Sequence, residues 1–80
     1  MITVLLEFNC AENPPRASVW LVDHPIEEGS DEEEHLPNVP GSTKLIGPIK
    51  EEDAMRTFTV LKEFFERTRV PFLEHTIADD

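Results

Sequence analysis

The N-terminal part of the chain shows the alternation of apolar and polar side chains that is typical of β-strands. One side of residues 2–8 is wholly apolar, and it consists of Ile2, Val4, Leu6 and Phe8. This pattern predicts a strand with one buried face. Residues 9–15, with two asparagines and two prolines, interrupt the pattern. Residues 18–22 are rich in β-branched and aromatic side chains and predict a second strand, antiparallel to the first.

The clearest predicted element is an amphipathic helix from Lys50 to about Thr68. Its apolar side chains recur every three or four residues and form one stripe, which consists of Ala54, Phe58, Leu61 and Phe65. We expect Met55 and Phe64 to widen this stripe. Acidic side chains occupy the predicted first turn and arginines the end, as the helix dipole favours.

The remaining strands complete the predicted fold. Residues 43–46 predict a short strand that ends at Gly47-Pro48, and residues 71–77 predict a last strand because Pro71 cannot continue the helix. The sequence therefore predicts an α+β fold of the order β-β-(β)-α-β, with one amphipathic helix packed on one face of a small, mostly antiparallel sheet of three or four strands. Residues 1–80 are expected to form a single domain, because a chain this short cannot fill two cores.

Residues 25–42 are predicted to form an acidic loop within this domain, and the sequence allows this loop to be either ordered or flexible. Pro25, Gly29, Pro37 and Pro40, together with the four consecutive acids of residues 31–34, leave little to bury there. The predicted helix covers only one face of the sheet, so two arrangements are possible for the other face. It is either an exposed contact surface around Trp20, or it is covered by the loop through Ile26, Leu36 and Val39.

The negative charge is concentrated in one part of the chain. The net charge is −10, yet residues 50–69 are neutral. The densest run contains no base and consists of Asp23, Glu27, Glu28, Asp31, Glu32, Glu33 and Glu34. Residues 23–34 are called the acidic segment below. Such a field repels phosphates and anionic lipids and attracts basic protein surfaces, so we expect neither direct nucleic-acid binding nor a membrane partner.

Candidate catalytic chemistry is sparse. The three glycines are isolated, and the spacing of Cys10 from the histidines does not indicate a thiolate and base pair. The acidic segment has the length of a calcium-binding loop, but Pro25 and Glu28 stand where that loop needs an oxygen ligand and a glycine. We therefore expect no enzyme activity, no cofactor and no metal site. His24 and His35 flank the acidic run, and two interpretations follow: nearby carboxylates raise their pKa values and make the protein sensitive to pH, or they are solvated loop histidines, which is the interpretation that we favour.

The N-terminal residues lack the basic leader of a secretory signal, and the chain has no apolar run long enough for a membrane span. A single unpaired cysteine fits a reducing compartment. These features predict a cytoplasmic protein.

Residues 36–41 (Leu-Pro-Asn-Val-Pro-Gly) and 51–54 (Glu-Glu-Asp-Ala) resemble HicB-type antitoxins, which carry a Leu-Pro-Gly turn before a Glu-rich helix on a small sheet. The resemblance covers about residues 36–66 and implies an antitoxin-like module. Residues 31–34 stand where that family has a strand, and the spacing from turn to helix is longer here. In size and charge the chain also resembles DNA-mimic inhibitors such as phage anti-restriction and anti-CRISPR proteins, without a shared motif.

Two hypotheses about function follow. The first is an inhibitor or modulator of a basic, nucleic-acid-binding protein that acts by charge mimicry, with the acids of the acidic segment and Trp20 as partner-binding residues. The second is an antitoxin-like or assembly module that binds a protein through an apolar sheet face or an edge strand. The sequence does not decide whether the protein forms a homodimer. A small metal-dependent or thiol enzyme ranks third.

Overall fold

The computed structural model describes residues 1–27, 29–36 and 38–79 and contains one helix packed on a four-stranded sheet. The elements are β1 (Ile2–Asn9), β2 (Arg16–Val22), a 3-10 helix (Asp31–His35), β3 (Ser42–Lys50), α1 (Glu51–Arg67) and β4 (Phe72–Asp79). The strand order is β3-β2-β1-β4. Among the described strands the β1–β4 pair is parallel and the other two pairs are antiparallel, so the predicted α+β class with a mostly antiparallel sheet is confirmed.

The central strand β1 is buried on both faces. Val4 belongs to the core cluster under α1, while Thr3 and Leu5 on the opposite face are also fully buried. The prediction of a single buried face is therefore wrong. Alternation along one strand marks the polar side, but it cannot show that another part of the chain covers that side.

The predicted helix is confirmed, and its apolar stripe faces the sheet. Ala54 and Phe58 are buried, and two more members of the stripe pack partly buried against the same cluster. Met55 and Phe64 are 50% and 56% exposed, so the expectation that they widen the stripe is wrong. The helical period places them about a quarter turn to either side of the stripe, beyond the width that the sheet covers.

Strand β3 is longer than predicted and continues through Gly47-Pro48. Its pairing with β2 shifts register near Val19, and this irregularity accommodates the two residues. Gly47 has φ 115°, and a Cβ at this position would lie 2.6 Å from Ser18 Cα, so only glycine fits. Pro48 lacks a donor but is tolerated because β3 is an edge strand. The prediction that these residues end the strand is therefore wrong.

The sheet face opposite α1 is covered in part by the connection between β2 and β3, and we call it the loop face. Ile26 and Val39 are 3% and 4% exposed and pack with Val22 and Leu36. The Thr3 hydroxyl donates to the His24 carbonyl and accepts from the Ile26 amide, both at 2.9 Å. Of the two alternatives for this face, the structure therefore shows the covering loop. No helix among the described residues is long and apolar enough to cross a membrane.

Candidate protein-binding site

His24 connects the end of β2 to the 3-10 helix. Its Nδ1 atom lies 2.8 Å from Asp23 Oδ1, and its Nε2 atom is hydrogen-bonded to Glu32 Oε2. The hydrogen bond to Asp23, followed by that to Glu32, raises the pKa of His24 above its ordinary value, because both carboxylates favour the protonated ring. Of the two interpretations of His24, the raised pKa is therefore confirmed, and the favoured one, a solvated loop histidine, is wrong because both ring nitrogens have carboxylate partners. His35 is exposed.

Glu33 also turns towards the protein. One carboxylate oxygen accepts the backbone N–H of Gly29, and the other lies 3.9 Å from His75 Nε2 on β4. The Gly29 backbone has φ 79°, a conformation that side chains rarely tolerate, so this tight turn favours glycine. Glu32 and Glu33 together hold the 3-10 helix against the rest of the domain.

The other described acids of this region point outward. The side chains of Glu27, Asp31 and Glu34 are exposed and have no hydrogen bond or ion pair within the described part of the chain. We call these three residues the outer acids. The acidic segment is thus divided into an inner set that fixes the backbone and an outer set that presents charge. Glu28, the remaining predicted binding residue, lies outside the described residues.

Open clefts flank the 3-10 helix, and two of them are the larger ones. One, of about 530 Å³, is formed by the 3-10 helix itself and residues 38–40. The other, of about 560 Å³, lies between the loop and β4 and is lined by Ile26, Glu27, Glu33 and residues 73–76. We call the second one the β4 cleft. Carboxylates line both clefts, so the surface around the 3-10 helix combines concave shape with negative charge.

Trp20 lies on the loop face, but its polar partners are outside the acidic segment. Its Nε1–H donates to Glu7 Oε1 at 3.0 Å, and Glu7 is only 7% exposed. The Lys44 ammonium group is 5.2 Å from the Trp20 ring centroid. The half-buried indole therefore closes over a buried carboxylate next to a cation, an environment unlike that of the acidic segment.

Sequence patterns did not reveal the side chains that organise this site. Thr3, His24 and His75 come from three separated parts of the chain, and each contacts the connection between β2 and β3 at a different point of the folded protein. The one local signal was the position of His24 beside the acidic run. His75 has no such signal, because it reaches Glu33 only through the pairing of β4 with β1.

The described residues contain no group of three or more His, Cys, Asp and Glu side chains that could hold a metal ion. Cys10 is an exposed free thiol. The turn that resembles HicB-type antitoxins leads into the nine-residue strand β3 rather than directly into α1. No protein-family model, no curated protein and no solved structure matches this chain.

Proposed function

We propose that this protein is a non-enzymatic, cytoplasmic binding protein that docks its acidic segment on a basic surface of a nucleic-acid-binding protein. The partner is inhibited or modulated because the carboxylates occupy the surface that phosphates would otherwise contact. One observation carries this proposal: the outer acids Glu27, Asp31 and Glu34 have no hydrogen bond or ion pair with any described residue, while Glu32 and Glu33 fix the backbone between them.

Fixed carboxylates suit this role better than a freely moving acidic tail. A charged segment that is already folded loses less conformational entropy on binding. Complementary charge accelerates the encounter with a basic surface and selects against acidic partners. Release of counterions from the basic groove favours an acidic protein for the same reason that it favours nucleic acid.

The first test compares the wild type with two variants that are matched to each other in charge. The site variant carries Glu27→Gln, Asp31→Asn and Glu34→Gln. The control variant carries Glu12→Gln, Glu63→Gln and Glu66→Gln, which remove the same charge from exposed positions outside the acidic segment. Exposed ion pairs such as Glu63 with Arg67, at 4.0 Å, contribute little stability, so both variants are expected to fold.

Each protein is used to capture binding partners from nuclease-treated lysate, and each captured protein is then purified and titrated. We expect a nucleic-acid-binding protein to be held by the wild type and the control variant, lost by the site variant, and released by added salt or by competing DNA or RNA. A partner held equally by all three proteins, or one that nucleic acid does not displace, would contradict the proposal.

An antitoxin-like or assembly module is the second candidate function, and exposed apolar side chains favour it. Leu45 and Ile46 on the edge strand β3 are 45% and 38% exposed, and Val60 and Phe64 on α1 are 58% and 56% exposed. Contacts of this kind depend little on salt. Partner binding that survives the site variant but is lost on Phe64→Ser would favour this function, and analytical ultracentrifugation would show whether the partner is a second copy.

A further inference from the structure

We propose that His24 is a pH-sensitive latch, which holds the 3-10 helix while both ring nitrogens carry a proton and releases it as the pH rises. The latch joins the end of β2 to the helix that carries Asp31 and Glu34, two of the outer acids. This inference rests on the proposed function for its consequence, and it adds the condition under which these two acids are held in place.

The geometry around the ring requires the protonated form. Its Nδ1 atom lies 2.8 Å from Asp23 Oδ1, and its Nε2 atom is hydrogen-bonded to Glu32 Oε2. An ionised carboxylate only accepts hydrogen bonds, and a neutral imidazole has a single N–H. A neutral ring can therefore keep only one of the two contacts, because its second nitrogen would present a lone pair to a carboxylate oxygen. With both acids ionised, the two contacts coexist only when both nitrogens donate.

The other groups around His24 do not replace this proton. Within the described part of the chain, Asp23 and Glu32 have no ion-pair partner other than His24. From β1, the contact is the uncharged Thr3 hydroxyl, and the turn before β3 (residues 38–41) contains no charged side chain. The hydrogen bond to Asp23, followed by that to Glu32, raises the pKa of His24. Both contacts are therefore present at low pH, and one is lost as the pH rises through the folded-state pKa.

A second histidine faces the same helix from β4. The Nε2 atom of His75 lies 3.9 Å from Glu33 Oε1, and this pair is charged only while the imidazole is protonated. It therefore favours the attached helix in the same direction of pH as His24. The longer distance makes it the weaker of the two attachments, because 3.9 Å is beyond hydrogen-bonding distance.

Loss of the latch frees the helix rather than the whole loop. Ile26 and Val39, which lie on either side of the 3-10 helix in the sequence, are buried against the loop face without using the His24 ring. The helix itself has no buried residue, so the contacts of its acids attach it. Deprotonation therefore leaves Asp31 and Glu34 on a segment that is free to move, and a partner would have to order that segment on binding.

The test is solvent-exchange NMR of the whole protein at about pH 5.5 and about pH 8.5. The Glu33 and Asn38 amides report on the helix, because they donate to carbonyls within residues 30–35. We expect their protection factors, corrected for the pH dependence of intrinsic exchange, to fall about two- to fivefold at the higher pH, as the loss of an exposed ion pair implies. The Ile26 amide, which lies outside the helix, should keep its protection.

Glu32→Gln is the decisive variant, because it removes the pH dependence without removing the latch. An amide nitrogen at this position donates to the Nε2 lone pair of a neutral His24, and the amide oxygen accepts from the protonated ring. We therefore expect protection that changes little between the two pH values. His24→Gln should give low protection at both, whereas His35→Gln, which alters an exposed ring, should retain the wild-type fall.

Three outcomes would overturn the proposal. A wild-type fall that Glu32→Gln leaves in full would assign the pH dependence to His75 instead. Equal protection of the wild-type helix at both pH values would show that the His24 proton does not hold it. A fall that the Ile26 amide shares would show a general loss of stability rather than release of the helix.

The outcomes also separate this inference from the proposed function, because the exchange measurements need no partner. A helix that is released at high pH, combined with partner capture that does not depend on the outer acids, would retain the latch and reject the function. Partner capture that depends on the outer acids, with a helix equally protected at both pH values, would retain the function and reject the latch.

Discussion

Thr3 shows how a single buried hydroxyl connects the sheet to the loop that carries the acids. The hydroxyl donates to the His24 carbonyl and accepts from the Ile26 amide, and no part of Thr3 is exposed. Alternation marked Thr3 only as polar and outward. Its role depends on the return of residues 24–26 over β1, and no pattern within residues 2–8 contains that information.

We expect Thr3→Val to destabilise the protein, since it keeps the shape of the side chain but leaves two buried backbone groups without a partner. The expected loss in free energy of unfolding is about 1–3 kcal/mol. Thr3→Ser, which keeps the hydroxyl, is the matched control. Urea denaturation measures the loss, and amide hydrogen exchange should quicken selectively at Ile26. Equal stability of the valine variant and the wild type would show that these hydrogen bonds contribute nothing.

The His24 interaction predicts a pH dependence of stability. Contacts with Asp23 and Glu32 raise the pKa of His24 in the folded state. The stabilisation is therefore fully present below the unfolded-state pKa, about 6.5, and is lost as the pH rises through the folded-state pKa. We expect His24→Gln to lower stability more at about pH 5.5 than at about pH 8.5.

Urea denaturation of both proteins at both pH values measures this difference, and subtraction removes the pH effects that they share. His35→Gln is the control, because His35 is exposed and makes no contact with a carboxylate among the described residues. A destabilisation by His24→Gln that is the same at both pH values would mean that the protonated ring does not contribute.

At the scale of secondary structure, the sequence predicted α1 best because its period is strict. The spacing of Ala54, Phe58, Leu61 and Phe65 allows only one buried side. The ends of β3 were not predictable in the same way. Gly47-Pro48 normally interrupts a strand, and it is tolerated here because the partner strand shifts register beside it. That accommodation involves Ser18, which is distant in sequence.

The helix offers a matched pair of phenylalanines for testing its orientation. Phe58 is 7% exposed and Phe64 is 56% exposed. We expect Phe58→Ala to cost about 3–5 kcal/mol, which approaches the whole stability of a domain of this size. Phe64→Ala should cost much less. Circular dichroism and thermal denaturation of both variants provide the measurement, and similar losses would mean that the opposite flank of α1 is also packed.

For the whole molecule, periodicity predicted the fold class, while the candidate site depended on contacts between distant segments. The count of acids showed where charge is concentrated, but it could not separate Glu32 and Glu33 from the outer acids. That division arises from two histidines that approach from the end of β2 and from β4. Charge composition therefore indicates an acidic surface, and tertiary structure decides which acids remain available to a partner.

Clustering of the outer acids should also make stability increase with salt. The net charge is −10, and like charges held on one surface repel each other more in the folded state than in an extended chain. At an ionic strength of about 0.1 M the screening length is about 10 Å, which is short enough to weaken this repulsion. We expect the melting temperature of the wild type to rise as sodium chloride is increased from a few millimolar to several hundred millimolar.

The site variant and the control variant make this prediction specific. Glu27→Gln, Asp31→Asn and Glu34→Gln together should raise the melting temperature at low salt and reduce the further gain from added salt. The control variant removes the same charge from dispersed positions and should behave more like the wild type. If both variants gained equally, the repulsion would be a property of net charge alone. Clustering of the outer acids would then lower stability no more than the same charge elsewhere. The salt dependence would in that case give no reason to think that the position of these acids, rather than their number, is maintained for binding.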